Sequence, residues 1–531
     1  MIIMEDPKLT VLITTSGKGT RLGNLTSFTN KSLVRIGKKP ALSYIIESYP
    51  KNTEFVITTG YYGSHVSQFL QIAHKDRDIK IVNVDRYEGD GSSLLASMFA
   101  AKHLLQKRFV FHCCDSIISQ SESLELNENW CFSSKSKSAE HYRTHDVRDG
   151  DVVCIKEKGE SYTELAHVGV IGVKNYKEFW KNAENLIKNF PNDQSLSDCH
   201  VVNNLIKSGF KFKSRSCEWL DIGNIKSLQD ARKNINDKFE ILDKDDESIF
   251  IFDEKFVVKF FHNVKSVANR VERLKQLGKF GPKLIAHTEN FYSYEYIKGI
   301  EASKIKSEQE LACLINDLFD NFWIYQNQDY NFQNSVRKFY IDKTIDRAEL
   351  FYNKSSFKDQ VVYVNGKKID KLSDLIKRIP DEVLVTLYSY RFHGDLVLDN
   401  IIVGDKTKLI DWRQDFCGNI SDGDIYYDLG KFNHSLVINH EIVSKGLFTY
   451  QESNKSKTKS VSVDILQKHL HSSFKNKFKE IVESKNLCYN KVELISALIW
   501  INMSPLHDIE FGKFLYYFGL YKLNEAIDKL Q

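Results

Sequence analysis

The sequence predicts two folding units of different class. The first is an α/β unit with a mainly parallel sheet over about 1–238. The second is a bilobal α+β unit over about 245–531, with a small lobe at about 245–300 and a helical large lobe at about 301–531. Three observations predict this. The chain has 531 residues, far more than the roughly 150 of an average domain. Strand-like and helix-like segments alternate in the first part, whereas β-rich and then helical segments follow one another in the second. A highly charged stretch, INDKFEILDKDDES at 235–248, lies between them.

Each element has its own signal. TVLITT at 10–15, EFVITT at 54–59, IKIVNV at 79–84 and RFVFHC at 108–113 are short apolar runs of strand length. Helical patterns at 40–49 and 92–106 separate them, which implies helices on both faces of the sheet. Residues 120–150 are polar, with SSKSKS at 133–138, and read as a long loop or lid. Strands resume at 151–155 and 166–173. In the second part, SIFIFDEKFVVKFF at 248–261 reads as two antiparallel strands joined at Asp253-Glu254-Lys255. A helix follows at 264–278, then strands around 283–297. Beyond about 300 the chain is mostly helical, interrupted by a strand-like region at 383–412.

Composition narrows the class. Apolar residues make up 42% and charged residues 27%, enough for packed cores. The 74 basic and 70 acidic residues leave +4, too balanced to announce a nucleic-acid or membrane surface. No apolar run approaches the ~18 residues of a membrane span. The first residues lack a basic n-region, and nine cysteines show no metal spacing. A reduced, cytoplasmic protein is expected, with oligomeric state open.

Two motifs carry chemistry. After the first strand, Gly17 and Gly19 let the backbone approach a polyphosphate, and Arg21 adds a bidentate phosphate donor. The stretch SGKGTRLGNLTSFTNKSLVRIGKKPAL at 16–42 resembles the start of the sugar-phosphate and phosphocholine nucleotidyltransferases. Gly17, Gly19, Thr20, Arg21, Thr26, Lys31, Leu33, Gly37 and Pro40 match, while Asn30 replaces a proline and Thr15-Ser16 replaces Ala-Ala. The likeness continues through GYYG at 60–63, FVFHCCD ending in Asp115, and CEWLDIGNIKSLQDA at 217–231. It implies a Rossmann-like domain with a mixed sheet. It also implies that Ser16, Gly17, Gly19 and Thr20 bind the nucleotide, that Arg21 and Lys31 neutralise charge, and that Asp115 and Asp221 hold Mg²⁺. Lys158 would reach the acceptor phosphate.

The second motif is FHGDLVLDN at 392–400 with LIDWRQDF at 409–416. This resembles the aminoglycoside phosphotransferase and choline kinase family, a protein-kinase-like fold. The resemblance implies that Asp395 orients a substrate hydroxyl and that Asn400 and Asp411 hold Mg²⁺ on ATP. Lys259 would meet the nucleotide phosphates with Glu272 as its partner, Glu254 being an alternative. SYEYIKG at 293–299 would be the hinge. Trp323, Tyr325, Trp412, Phe416, Tyr426 and Tyr427 are candidates for a cage around a quaternary ammonium, or simply core. Trp412 and Arg413 are taken as substrate-binding, and Arg413 suits an acceptor with a carboxylate or several hydroxyls.

Together the halves imply consecutive steps, a kinase making a phosphomonoester and a transferase consuming it with an NTP. The pair most resembled is choline kinase with CTP:phosphocholine cytidylyltransferase, which serves bacterial surface-polysaccharide decoration. The partners are therefore a small alcohol, its phosphate, ATP and CTP or another NTP. A sugar or polyol in place of choline is the enzymatic alternative, and a non-catalytic second half is the alternative from another class.

Overall fold

The structure, a computed structural model, describes residues 8–119, 123–136, 139–160, 163–235, 244–328, 332–384, 386, 388–453, 459–466 and 472–531. The chain divides into two compact units. One is Met1–Val264 with Ile285–Tyr294, and the other is Lys265–Leu284 with Glu295–Gln531.

The first unit is built on nine strands: β1 Thr10–Thr14, β2 Glu54–Thr59, β3 Asp78–Asn83, β4 Phe109–Cys113, β6 Asn129–Lys135, β7 Thr144–Arg148, β8 Asp151–Lys156, β9 Leu165–Val173 and β10 Phe212–Ser216. Their order is β3-β2-β1-β4-β9-β6-β10-β8-β7. The β3-β2-β1-β4 half is parallel. β9 runs antiparallel to both β4 and β6, and β10 runs parallel to β6, so the sheet is mixed. β1, β2 and most of β4 are buried throughout, as their unbroken apolar runs require. A separate antiparallel pair joins β5 Ser116–Ser119 to β11 Glu218–Asp221, with Asp221 opposite Ser116.

Residues 120–150, read as a loop or lid, instead supply β6 and β7 to the main sheet among their described residues. The reason is local. Trp130, Cys131 and Phe132 are all fully buried, and three such residues anchor a strand despite polar flanks.

The hairpin β12 Glu247–Phe252 and β13 Phe256–Phe261 forms as expected, with Asp253 and Glu254 both at positive φ in its turn. With β14 Leu284–His287 and β15 Phe291–Glu295 it makes a four-stranded sheet ordered β12-β13-β15-β14. This sheet was assigned to the second unit at about 245–300, but most of it groups with the first. Phe250, Phe252, Phe260 and Phe291 share a core with Val66 and Phe69 of the helix Gly63–Ala73. Lys39 bridges Glu47 (2.7 Å) and Asp253 (2.8 Å), and Gln68 bonds Asn290. Part of the charged stretch predicted to separate the units, 236–243, lies outside the described residues.

In the second unit the helices Ile425–Val437, Tyr489–Met503 and Ile509–Leu530 contribute to one large aromatic-rich core. A four-stranded sheet that the sequence did not announce lies among them. Its order is Lys367–Ile369, Val362–Val364, Ser460–Ile465, Phe448–Ser453. A small antiparallel pair, Ile401–Val403 with Lys408–Leu409, positions the second motif. No helix among the described residues is long and apolar enough to cross a membrane. All nine cysteines are free.

Candidate active sites

In the first unit, the turn after β1 is held by backbone and buried hydroxyls. Ser16 O accepts from Tyr61 N (2.9 Å), and the Ser16 and Ser97 hydroxyls meet at 2.7 Å. Gly19 has φ +68°, and a Cβ there would stand 2.7 Å from Lys31 Cβ. Glycine is therefore what lets the Lys31 stem pass beneath the loop. Gly17 has open space where a side chain would be. Thr20 and Arg21 follow at the exposed start of a short turn.

Asn30 explains how the chain manages without a proline. It is fully buried. Its Nδ2 donates to Thr15 O (2.7 Å) and Tyr61 O (2.6 Å), and its Oδ1 accepts from Ser32 N (2.9 Å) and Ser32 Oγ (2.8 Å). That side chain fixes the turn from which Lys31 projects.

Lys31 Nζ pairs with Asp115 Oδ2 at 3.1 Å. Burial disfavours both charges, yet their attraction outweighs it. Asp115 is held at about 2, and Lys31 is pushed well above the ordinary lysine value. The β5–β11 pairing brings Asp221 beside Asp115, and Ile222 N donates to Asp115 O at 3.0 Å. Asp221 Oδ1 accepts from Gly223 N (2.9 Å), and Oδ2 from the Tyr142 hydroxyl (3.0 Å).

A Cβ on Gly223 would sit 3.1 Å from Asp221 Oδ1, 3.5 Å from Asp115 Oδ2 and 3.8 Å from Arg21 Nη2. Both carboxylates and Arg21 thus border one small space that glycine leaves open. Two hard oxygen donors beside an open space fit a divalent cation such as Mg²⁺, which Asp115 and Asp221 would hold. A cavity of about 600 Å³ opens there, lined by Arg21, Asp115, Lys158 and Asp221 among others. Burial, then the neighbouring Arg21 and Arg143, lower the Lys158 pKa.

The sequence reading missed Tyr142, Arg143 and Trp219. All three line this cavity. Tyr142 and Arg143 fall in the segment taken for a lid, and neither belongs to a recognisable motif.

In the second unit, Gly394 has φ +86°, and a Cβ there would stand 2.6 Å from Arg413 Cβ. Asp428 anchors the loop by accepting from His393 N (2.7 Å), Gly394 N (2.7 Å) and Trp323 Nε1 (3.2 Å). Burial raises Asp428 to about 6. His393 is buried, meets Ile410 O at 2.9 Å and accepts from Asp395 N, and burial lowers it to about 3. It shapes the loop as a neutral ring.

Asp395 Oδ1 pairs with Lys431 Nζ at 2.9 Å. Burial opposes its charge, but Lys431 above all holds it below the usual carboxylate range. Lys431 lies on the helix Ile425–Val437, beyond the two quoted parts of the motif, and the sequence did not single it out. Asn400 Nδ2 donates to Asp395 O (2.9 Å), and Ile410 N donates to Asn400 O (2.9 Å). The pair of strands therefore sets Asn400 and Asp411 at one end, with Asp411 at φ +62°. Their amide and carboxylate oxygens are again hard donors suited to Mg²⁺.

Lys259 is buried on β13 and belongs to the first unit, whereas Glu272 lies on the helix Val264–Leu277 and pairs with Lys275 at 2.5 Å. Trp412 is fully buried, and its ring N–H donates to Arg270 O at 2.8 Å. It supports the site from behind instead of lining it. Trp323, Phe416 and Tyr427 are buried likewise, while Tyr325 is exposed. The six aromatics do not form one exposed cage.

No protein-family model matches the chain, and no curated protein matches it. Solved structures resemble its first part. CTP:phosphocholine cytidylyltransferase from Streptococcus pneumoniae is 18% identical with TM-score 0.37, covering 43% of this chain and 100% of that one. The inositol-1-phosphate CTP transferase from T. maritima is 18% identical with TM-score 0.36, covering 45% and 100%. A UDP-glucose pyrophosphorylase complexed with UDP-glucose is 14% identical with TM-score 0.37, covering 44% and 100%.

Proposed function

We propose that the first unit transfers a nucleotidyl group from an NTP to a phosphomonoester, and that the second phosphorylates a small alcohol with ATP to supply that monoester. The observation that carries the first half is the convergence of Asp115, Asp221, Arg21 and Lys158 around one cavity beside a glycine loop, with Lys31 paired to Asp115. Attack of a phosphate oxygen on an α-phosphorus joins two anions, so neutralising charge is the main requirement. The acceptor is already ionised and needs no protein nucleophile. Ser16, Gly17, Gly19 and Thr20 line the turn that faces the polyphosphate. Arg21 and Lys31 offset its charge, and Lys158 meets the acceptor phosphate. Bound Mg²⁺ would supply further charge neutralisation at Asp115 and Asp221.

In the second unit Asp395 stays ionised and accepts the hydroxyl hydrogen bond of the alcohol, with Asn400 and Asp411 as metal donors. ATP is its phosphoryl donor. CTP as the nucleotidyl donor, and a product like CDP-choline for surface-polysaccharide decoration, follow from the family resemblance. Two variants test the division. Asp395→Ala should lose ATP-dependent phosphorylation yet convert a supplied phosphomonoester, and Asp221→Ala should do the reverse. Loss of both activities in either variant, with the fold intact, refutes separate sites. Absence of phosphorylation across a broad alcohol panel favours a second unit that only binds.

A further inference from the structure

We propose that the cavity beside Asp395 binds an acceptor alcohol that also carries an anionic group, a carboxylate or a phosphate. This rests on the kinase reading of the second unit. Four cations line it: Lys343 on the helix Lys343–Ser355, Arg413 just after Trp412, and Lys338 and Arg347; Lys431 on Ile425–Val437 adds its charge nearby without lining it. Lys431 is matched by Asp395 at 2.9 Å. Among the described residues, no carboxylate lies within salt-bridge distance of the Lys343 or Arg413 side chains. Asp342, Asp346 and Asp415 line the same cavity of about 260 Å³, but Asp415 meets Arg413 only through its backbone O, which accepts from Arg413 Nε (3.0 Å), not through its carboxylate. Arg413 N donates to His393 O (3.0 Å), so the cavity adjoins the Asp395 loop.

The aromatic faces are already occupied. Lys343 Nζ stands 4.4 Å from the Phe339 ring centre and 5.4 Å from that of Tyr427, and the Arg413 guanidinium stands 5.1 Å from Phe339. A quaternary ammonium would have to displace cations that the protein itself places there. Cations clustered without matching carboxylates are instead stabilised by an anion. The electrostatics agree. Burial, then Arg413 and Lys431, lower Lys343 to about 8, and against burial Lys343 first, then Lys431 and Arg413, hold Tyr427 below its ordinary value.

In the step, the hydroxyl oxygen bonds the γ-phosphorus of ATP as the bond to the β-phosphate oxygen breaks. The hydroxyl proton passes to the Asp395 carboxylate, and ADP leaves.

A charge series on similar small alcohols tests this: glycerate, glycerol 3-phosphate, glycerol and choline. ATP-dependent phosphorylation is measured for the full chain and for Lys343→Met, Arg413→Met and Lys343→Arg. One anionic alcohol should exceed glycerol and choline by at least ~10-fold in kcat/KM. Preference for glycerate assigns a carboxylate, and preference for glycerol 3-phosphate a phosphate. The two methionine variants should raise KM for that anion ~10-fold or more, and Lys343→Met should leave glycerol within ~3-fold. Lys343→Arg should restore binding and controls for folding. Preference for choline or glycerol overturns the inference. Calorimetric titration of both anions without ATP separates the two claims. If no alcohol is phosphorylated but an anion binds wild type and not Lys343→Met, the kinase reading fails and the anion site stands. If neither anion binds, the inference fails.

Discussion

Replacing Asn30 by alanine perturbs the turn that carries Lys31 without touching a charge. The buried amide makes four hydrogen bonds, to Thr15 O, Tyr61 O, Ser32 N and Ser32 Oγ. Its removal leaves two carbonyls and one N–H without these partners in a fully buried place. The Ser32 hydroxyl can rotate to another acceptor. Each orphaned group costs about 1–3 kcal/mol, and partial relaxation brings the total to about 4 kcal/mol. For a unit of this size, ~2–4 °C is lost per kcal/mol, so its melting transition should fall by ~10 °C. Scanning calorimetry of the full chain reads this directly. Nucleotidyl transfer should fall by ~10²-fold in kcat/KM, because Lys31 loses its fixed origin. A transition within ~2 °C of wild type, with kcat/KM unchanged, would refute the assignment of Asn30 as the anchor of the turn.

Three further outcomes follow. Glu54 is buried on β2 and bonded to Thr10, Lys80 and Lys107; burial opposes its charge, but these partners hold it at about 2. Its stabilisation is therefore full above the unfolded carboxylate value and lost as pH falls through about 2. Glu54→Gln should cost at most about 3 kcal/mol at pH 7, and the gap should close in urea melts at the lowest pH where the protein folds; a gap independent of pH contradicts this. Gly394→Ala forces a side chain against Arg413 at φ +86°. It should destabilise the second unit by about 1–3 kcal/mol and depress phosphorylation without affecting nucleotidyl transfer. Lys158→Ala should raise KM for the phosphomonoester by ~10-fold and leave KM for the NTP near wild type; an equal rise in both would remove Lys158 from the acceptor side.

How much was legible in the sequence varies by element. The strands β1, β2 and β4 stand out because buried strands are unbroken apolar runs. The 247–261 hairpin was equally plain, since two apolar runs flank a charged turn. β6 was hidden because Trp130, Cys131 and Phe132 form a short run inside polar sequence. The glycine loop and its cations were legible as local chemistry. The meeting of Asp115 with Asp221 depends on the β5–β11 pairing, which no local pattern encodes. In the second unit the Asp395 loop was readable by spacing. Lys343 and Lys431 were not, because a lysine on an amphipathic helix looks the same whether it faces solvent or an acidic partner. Trp412 looked like a binding surface beside Asp411 but is core, fixed by its bond to Arg270 O.

The central claim is tested most directly by phosphorus NMR of the protein with a phosphomonoester panel and each NTP, comparing wild type with Asp221→Ala. Wild type is predicted to form a diphosphate-linked product and release pyrophosphate with one NTP, and Asp221→Ala to form neither while retaining its melting transition. Pyrophosphate release undiminished in Asp221→Ala, or only inorganic phosphate from wild type with every NTP, would contradict the account.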